Sequence, residues 1–274
     1  MKKIRFGKTG LMVSRIAFGG IPIMRLPKPD AARLVRQVVE LGVNFIDTAH
    51  GYNDSEEKIG EAIRGMRRED IVVASKSPAN DRKTFLEHVD LSLKRLGLDY
   101  IDIYQLHNVN SDERHSAVFG PDGAYEGLAE AVRSGKVRFP AFSSHSVPMA
   151  LDLMRSGRFA AVQLPINYID TEAEKEAIPL ARELDMGFIA MKPLGGGLLD
   201  NAGTAFRYLL RHDHVVPDPG IEKIEEMWEI AALAENPEPL SGEEWKRIEA
   251  QRAELGTEWC HRCDYCQPCP QRSE

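Results

Sequence analysis

Cysteine is absent from residues 1–259, and all four cysteines of the chain fall between 260 and 269. That excludes a framework of disulfides stapling distant segments, the usual role of cysteine in small secreted domains. No apolar run approaches the roughly 20 residues needed to span a bilayer. Positive charge is not in excess: 35 Lys and Arg face 42 Asp and Glu, a net charge of −7. This balance argues against a nucleic-acid partner and against an anionic membrane surface. The opening, Met1-Lys2-Lys3-Ile4-Arg5-Phe6-Gly7, has no apolar signal core and reads as a strand. A cytoplasmic protein is expected.

What is present is a regular alternation of strand-like and helical segments. Strand-like runs centre on Ile16–Phe18, Asn44–Ile46, Ile71–Ala74, Ile101–Tyr104, Val137–Phe142, Ala161–Leu164, Gly187–Met191 and His214–Val216. Asp30–Leu41 places Leu34, Val35, Val38 and Leu41 on one helical face and stops at Gly42. Thr84 with Glu87 reads as a capping box for a helix ending at Gly97. Further helices read as Glu126–Arg133, Val147–Arg155, Glu172–Leu184, Thr204–Arg211 and Ile224–Ala234. The segment before the first run, Lys2–Phe6 and Leu11–Ser14 about Gly7–Gly10, reads as a β-hairpin. The pattern predicts an α/β fold, a (β/α)8 TIM barrel with the hairpin in front, and 274 residues suit such a barrel of about 250. The barrel is expected over 1–235. Residues 236–274 follow as a linker, a short C-terminal helix capped by Ser241 and Glu244, and a cysteine-rich tail.

Four polar residues stand at the carboxyl ends of three consecutive runs: Asp47 and Tyr52, Lys76, and His107. Packing does not require them there, and in a parallel barrel that end carries the chemistry. A phenol, an ammonium, a carboxylate and an imidazole together make a proton-donating site for a carbonyl oxygen. Asp47-Thr48-Ala49-His50-Gly51-Tyr52, then Ser75-Lys76, then Gln105-Leu106-His107 resembles the aldo-keto reductase family over roughly residues 1–235. The resemblance implies a nicotinamide cofactor and reversible reduction of a small aldehyde or ketone. It implies Tyr52 as the acid, Lys76 lowering the phenol pKa, Asp47 holding Lys76, and His107 steering the substrate oxygen.

The resemblance also marks a cofactor platform. Ser143 and Ser144 stand where the family has a serine followed by a polar residue, and Gln163 resembles the glutamine that receives the carboxamide. Ala141 stands where glycine is common. In Met191–Gly197 the triple glycine Gly195-Gly196-Gly197 suits a backbone passing close to a pyrophosphate, and Lys192, Leu194 and Gly195 of this loop are expected to bind the cofactor. Gly220 is read as opening the last barrel helix, whose N–H groups would hold a phosphate, with Lys223 beside it. The resemblance favours NADP, whereas Glu222, Glu225 and Glu226 set carboxylates near a 2′-phosphate. NADP and NAD both stay open.

Cys260, Cys263, Cys266 and Cys269 form a C-x2-C-x2-C-x2-C-P run, one residue shorter in its last spacing than the bacterial ferredoxin pattern. A subset of aldo-keto reductase-like proteins carries a similar run after the barrel. It implies a [4Fe–4S] cluster, with four-thiolate Zn2+ as the alternative. The chain therefore reads first as an NAD(P)H-dependent oxidoreductase carrying a cluster. The second reading is an electron-transfer or metal-binding module with the barrel as scaffold, which would need an electron-transfer partner.

Overall fold

The structure is a computed structural model that describes residues 1–255. The cysteine run lies outside the described residues. The hairpin forms first, with β1 (Lys3–Arg5) antiparallel to β2 (Met12–Ser14). Eight parallel strands follow in chain order: β3 (Phe18–Gly19), β4 (Phe45–Asp47), β5 (Val72–Ser77), β6 (Ile101–Leu106), β7 (Val137–Ser143), β8 (Ala161–Pro165), β9 (Gly187–Met191) and β10 (Val215–Asp218). The last strand returns to the first. Ala17 N donates to Pro217 O at 2.9 Å, and Gly19 N donates to Pro219 O at 2.9 Å. The sheet is thereby closed and has no free edge.

Successive strand residues point to opposite faces, so every strand contributes to two cores. Inward positions Ala17, Phe45, Ala74, Ile103, Ala141, Ala161, Ile189 and Val216 form the barrel interior. The hairpin plugs its amino-terminal end with Phe6, Leu11 and Val13, which join the same cluster. No Cβ fits at Gly187 because the Phe6 ring occupies that space. Burying an aromatic such as Phe6 contributes about 1.5–3 kcal/mol. Outward positions pack on the helices in a second, larger cluster.

The helices are α1 (Lys28–Glu40), α2 (Ser55–Ile63), α3 (Arg82–Leu96), α4 (Asp112–Phe119), α5 (Ala124–Arg133), α6 (Val147–Arg155), α7 (Glu172–Lys175), α8 (Ala177–Glu183), α9 (Ala202–Leu210), α10 (Ile224–Glu235) and α11 (Gly242–Leu255). Five of them, α2, α3, α4, α7 and α8, differ from the sequence reading in cap, continuity or presence. Asp81, not Thr84, caps α3: its carboxylate accepts from Thr84 N at 2.9 Å, which puts Thr84 in the first turn. The expected Glu172–Leu184 helix is broken at Glu176, because the Pro179 ring clashes with the carbonyl four residues back, at Lys175. The sequence reading did not mark α2 or α4. α2 buries Ile59, Ala62 and Ile63 in its last two turns, but its first turn buries the polar Ser55, Glu56 and Lys58, which interrupts the apolar pattern at its start.

At the end of the described chain, Ser241 and Glu244 make the expected reciprocal cap, at 2.8 and 3.2 Å. α11 lies against the barrel. Ile248 is buried, Arg252 Nε donates to Tyr168 O at 2.6 Å, and Tyr168 Oη donates to Gln251 at 2.7 Å.

Candidate active site

Two residues beyond the apolar layers, the inward positions turn polar. Asp47 follows Phe45, Lys76 follows Ala74, Gln105 follows Ile103, Ser143 follows Ala141, Gln163 follows Ala161, and Asp218 follows Val216. All six are buried. Asp47, Gln105, Gln163 and Asp218 come from β4, β6, β8 and β10, every second strand, the set that stacks as one layer in such a barrel. They are bonded as a layer. Gln105 Nε2 donates to Asp47 Oδ1 at 3.2 Å, and Gln163 Nε2 donates to Asp47 Oδ2 at 3.3 Å and to Asp218 Oδ2 at 3.1 Å.

Lys76 enters from β5. Its Nζ donates to Asp47 Oδ2 at 2.5 Å and to Thr48 O at 2.8 Å. Both ion-pair side chains are almost fully buried. Tyr52 stands in the turn between β4 and α2, fixed by Tyr52 N to Ala49 O at 3.0 Å and Ser55 N to Tyr52 O at 2.8 Å. Its ring centroid is 5.0 Å from Lys76 Nζ. The His107 ring stands edge-on to it, with centroids 6.0 Å apart and planes at 79°. The fold thus brings together all four residues picked from the sequence. Asn53 and Asn108, each directly after one of the two rings, adopt left-handed φ of 39° and 58°. Asparagine tolerates that region better than most residues.

Burial holds the His107 imidazole well below its usual pKa, with the Lys76 charge acting in the same direction. His107 is therefore a neutral ring at pH 7. Nearer the surface, His50 stacks on His88 with centroids 3.6 Å apart, and burial lowers the His50 pKa to about 4.

The cofactor positions divide. Ser143 is buried inward, where its Oγ accepts from Asn108 N at 3.0 Å. Ser144 is spent on the neighbouring loop, donating to Val109 O at 2.7 Å. Gln163 Oε1 is buried without a partner among the described residues, an acceptor of the kind a carboxamide N–H needs. Gly195, Gly196 and Gly197 run at φ 57°, 68° and 86°, which glycine alone adopts without strain, and Lys192 joins them at 57°. The turns are closed by Gly195 N to Lys192 O and Gly197 N to Leu194 O, each 2.9 Å.

The last helix departs from expectation. Gly220 does not open it; Lys223 is the cap and α10 starts at Ile224. The N–H groups of Glu222 and Lys223 donate to Glu226 Oε2 at 2.8 and 3.1 Å. A carboxylate of the chain already occupies the place read as a phosphate cradle. Arg25 Nε donates to Glu222 Oε1 at 2.7 Å, which ties the loop after β3 to the loop after β10. The sequence reading missed two site residues, Gln105 and Asp218. Their signal was the two-residue strand period continued one step past the apolar run, at Ile103 and Val216.

A family model described as Aldo/keto reductase family matches residues 15–206. An uncharacterized oxidoreductase of Bacillus subtilis, YrpG, is 32% identical over 239 residues, covering 74% of this chain and 72% of that protein. The NADH-specific methylglyoxal reductase of Escherichia coli is 29% identical over 258 residues, covering 83% and 75%. Among solved structures, the holo form of an aldo-keto reductase from Bacillus halodurans superposes with a TM-score of 0.77 at 26% identity, covering 91% of this chain and 96% of that one. An aldo/keto reductase from Klebsiella pneumoniae in complex with NADP and acetate shares the fold, with a TM-score of 0.76 at 24% identity and coverage of 92% and 95%.

Proposed function

The chain belongs to the aldo/keto reductase family of oxidoreductases, and from that premise we propose that it reversibly reduces a small aldehyde or ketone to an alcohol with NAD(P)H. One observation carries the reading: the buried Lys76–Asp47 pair lies under the Tyr52 ring, with neutral His107 edge-on to the same ring. Reduction needs a hydride on carbon and a proton on oxygen. A bound nicotinamide supplies the hydride. Tyr52 supplies the proton. A free phenol, with a pKa of about 10, is a poor acid-base group at neutral pH. The Lys76 ammonium stabilises the phenolate and brings that value down. Asp47 keeps Lys76 charged and fixed. His107, uncharged, can donate one N–H to the substrate oxygen without competing as an acid.

Ser143 and the free Gln163 oxygen would hold the carboxamide, and Lys192, Leu194 and Gly195 would flank the pyrophosphate. The far end fits a 2′-phosphate less well, since Glu226 covers the N–H groups and Glu222 engages Arg25. NADP is the cofactor of the Klebsiella pneumoniae structure, and the Escherichia coli relative is NADH-specific. We assign use of both cofactors here.

Cys260, Cys263, Cys266 and Cys269 we read as ligands of one [4Fe–4S] cluster, with Zn2+ as the alternative, on their spacing alone. That spacing also supports the second reading, an electron-transfer or metal-binding module. Assay of NADH and NADPH oxidation against a panel of aldehydes and ketones, with Tyr52→Phe beside the wild type, tests the first. Turnover lost in the variant supports it. No turnover of any carbonyl by a reconstituted wild type leaves the second, and equal turnover by both proteins removes Tyr52 as the acid.

A further inference from the structure

Behind Lys76 the barrel holds more acid than the reaction described above uses. Asp47 receives Lys76 Nζ at 2.5 Å and Gln105 Nε2 at 3.2 Å. Among the described residues Asp218 receives only Gln163 Nε2, at 3.1 Å, and Gln163 shares that nitrogen with Asp47 at 3.3 Å. Asp218 Oδ1 is buried and finds no donor among the described residues. Across the closure of the barrel stands Gly19, where even an added Cβ would come within 3.1 Å of Asp218 Oδ1. On the other flank β9 sets Met191 in register with Asp218. The charged groups that act on Asp218 are Asp47 and Lys76. Two carboxylates thus face one ammonium, and that ammonium is bonded to Asp47.

A buried carboxylate needs hydrogen-bond donors or a cation, and where it has neither it takes up a proton. The layer is short of donors in the same way, since Gln105 Oε1 and Gln163 Oε1 are also buried acceptors without partners among the described residues. We propose that Asp47 and Asp218 hold a single proton between them, carried on Asp218, and that the neutral acid so formed is a positioning residue for the site. It donates to Asp47 and accepts from Gln163. Burial and the Asp47 charge push the Asp218 carboxyl well above the usual carboxylate range, and Lys76 only partly opposes them.

Two consequences follow for the reaction proposed above, on which this second step rests. A neutral Asp218 leaves the buried trio with no net charge, so the Lys76 ammonium is balanced once and not overwhelmed by two carboxylates. An ionised Asp218 would raise the Tyr52 pKa and weaken the acid. With Nε2 of Gln163 committed to the two carboxyl groups, its Oε1 is also fixed as the acceptor for an amide N–H.

The proton is tested without turnover. Chemical denaturation of wild type and Asp218→Asn is followed from pH 5 to pH 8. An unfolded aspartate ionises near pH 4, so a folded chain that keeps the proton becomes less favoured as pH rises. The wild-type unfolding constant should grow relative to that of Asp218→Asn by about tenfold per pH unit until the pair itself ionises. A ratio that stays flat from pH 5 to pH 8 overturns the proposal. Should Asp218→Asn fail to fold, the infrared spectrum of wild type labelled with 13C-aspartate at pH 8 decides. A protonated aspartyl carbonyl band supports the proton, and its absence overturns it.

The positioning role is read separately. Asp218→Ala should raise KM for the nicotinamide cofactor about tenfold with kcat nearly kept, a loss of about 1.4 kcal/mol. Asp218→Asn, which both donates and accepts, should restore it. An unchanged KM in Asp218→Ala removes the positioning role. A chain that reduces no carbonyl but passes the denaturation test loses the function proposed above and keeps the proton.

Discussion

The Lys76 ammonium lies 5.0 Å from the centroid of the Tyr52 ring and is held from behind by Asp47 at 2.5 Å. The cation is therefore fixed by a buried partner of the chain itself. Its field acts on the phenol whether or not the site is filled.

Tyr52→Phe removes the hydroxyl and keeps the ring. Carbonyl reduction should fall by about 10²–10⁴-fold, the size of a lost general acid. Affinity for NADH and NADPH, measured by fluorescence titration, should stay as in the wild type. A variant with wild-type kcat would show that another group supplies the proton.

Lys76→Met should lose activity for a different reason, since the Tyr52 pKa then rises. It also strands Asp47 in the interior, which costs about 3–5 kcal/mol in a denaturant titration. The double variant Lys76→Met/Asp47→Leu should recover much of that stability and none of the activity. Recovery of both would place the pair outside the reaction.

Cofactor choice is expected to be weak. Discrimination between NADPH and NADH by equilibrium titration should stay below about 100-fold, or about 2.7 kcal/mol. Glu222→Gln releases Arg25 and removes a carboxylate, so it should favour NADPH. If NADPH already binds more than 100-fold better, the 2′-phosphate has a good partner, and Lys223→Ala should then weaken NADPH alone.

Acid should destabilise the fold through its half-buried histidine pair, His50 and His88. Burial, with the charges of His88 and Arg95, lowers the His50 pKa to about 4, and His88 is also lowered. A histidine with a depressed folded pKa contributes stability that is present above the unfolded value of about 6.5 and lost as pH falls toward the folded one. Denaturation midpoints should therefore drop between about pH 6.5 and pH 4. His50→Gln should flatten that slope. A slope identical to the wild type would show that His50 titrates normally.

The cysteine run is tested on the full chain by anaerobic reconstitution with iron and sulfide. About four irons and four sulfides per chain support the cluster, and one zinc without sulfide supports the alternative. Cys263→Ser should lose the metal and leave the denaturation curve of the barrel in place. Neither metal bound by the reduced wild type would remove both assignments.

The alternation of Val, Ile and Phe runs with amphipathic helices is a local property, so the barrel, its hairpin and most helix positions were legible in order along the chain. Asp47, Lys76 and His107 stood out as polar residues at or beside the ends of apolar strands, and Tyr52 through the motif that begins at Asp47. The break at Glu176 was legible only through the reach of Pro179 back to Lys175. Gln105 and Asp218 were not read as site residues. Each lies two residues past an inward apolar residue near the end of its strand, but that period alone does not say which of the two strand faces is the interior; packing against the neighbouring strands does. Pairing through β9 puts Asp218 within reach of Gln163, and closure of β10 onto β3 sets it facing Asp47. The same holds at the cofactor end. Glu226 looked like one more carboxylate in a helix, and only the fold turned it back onto Glu222 and Lys223. The sequence by itself determined which chemical groups stand at the strand ends. Tertiary structure decided which of them share a dry layer, and in a dry layer neighbours set the charge each one carries.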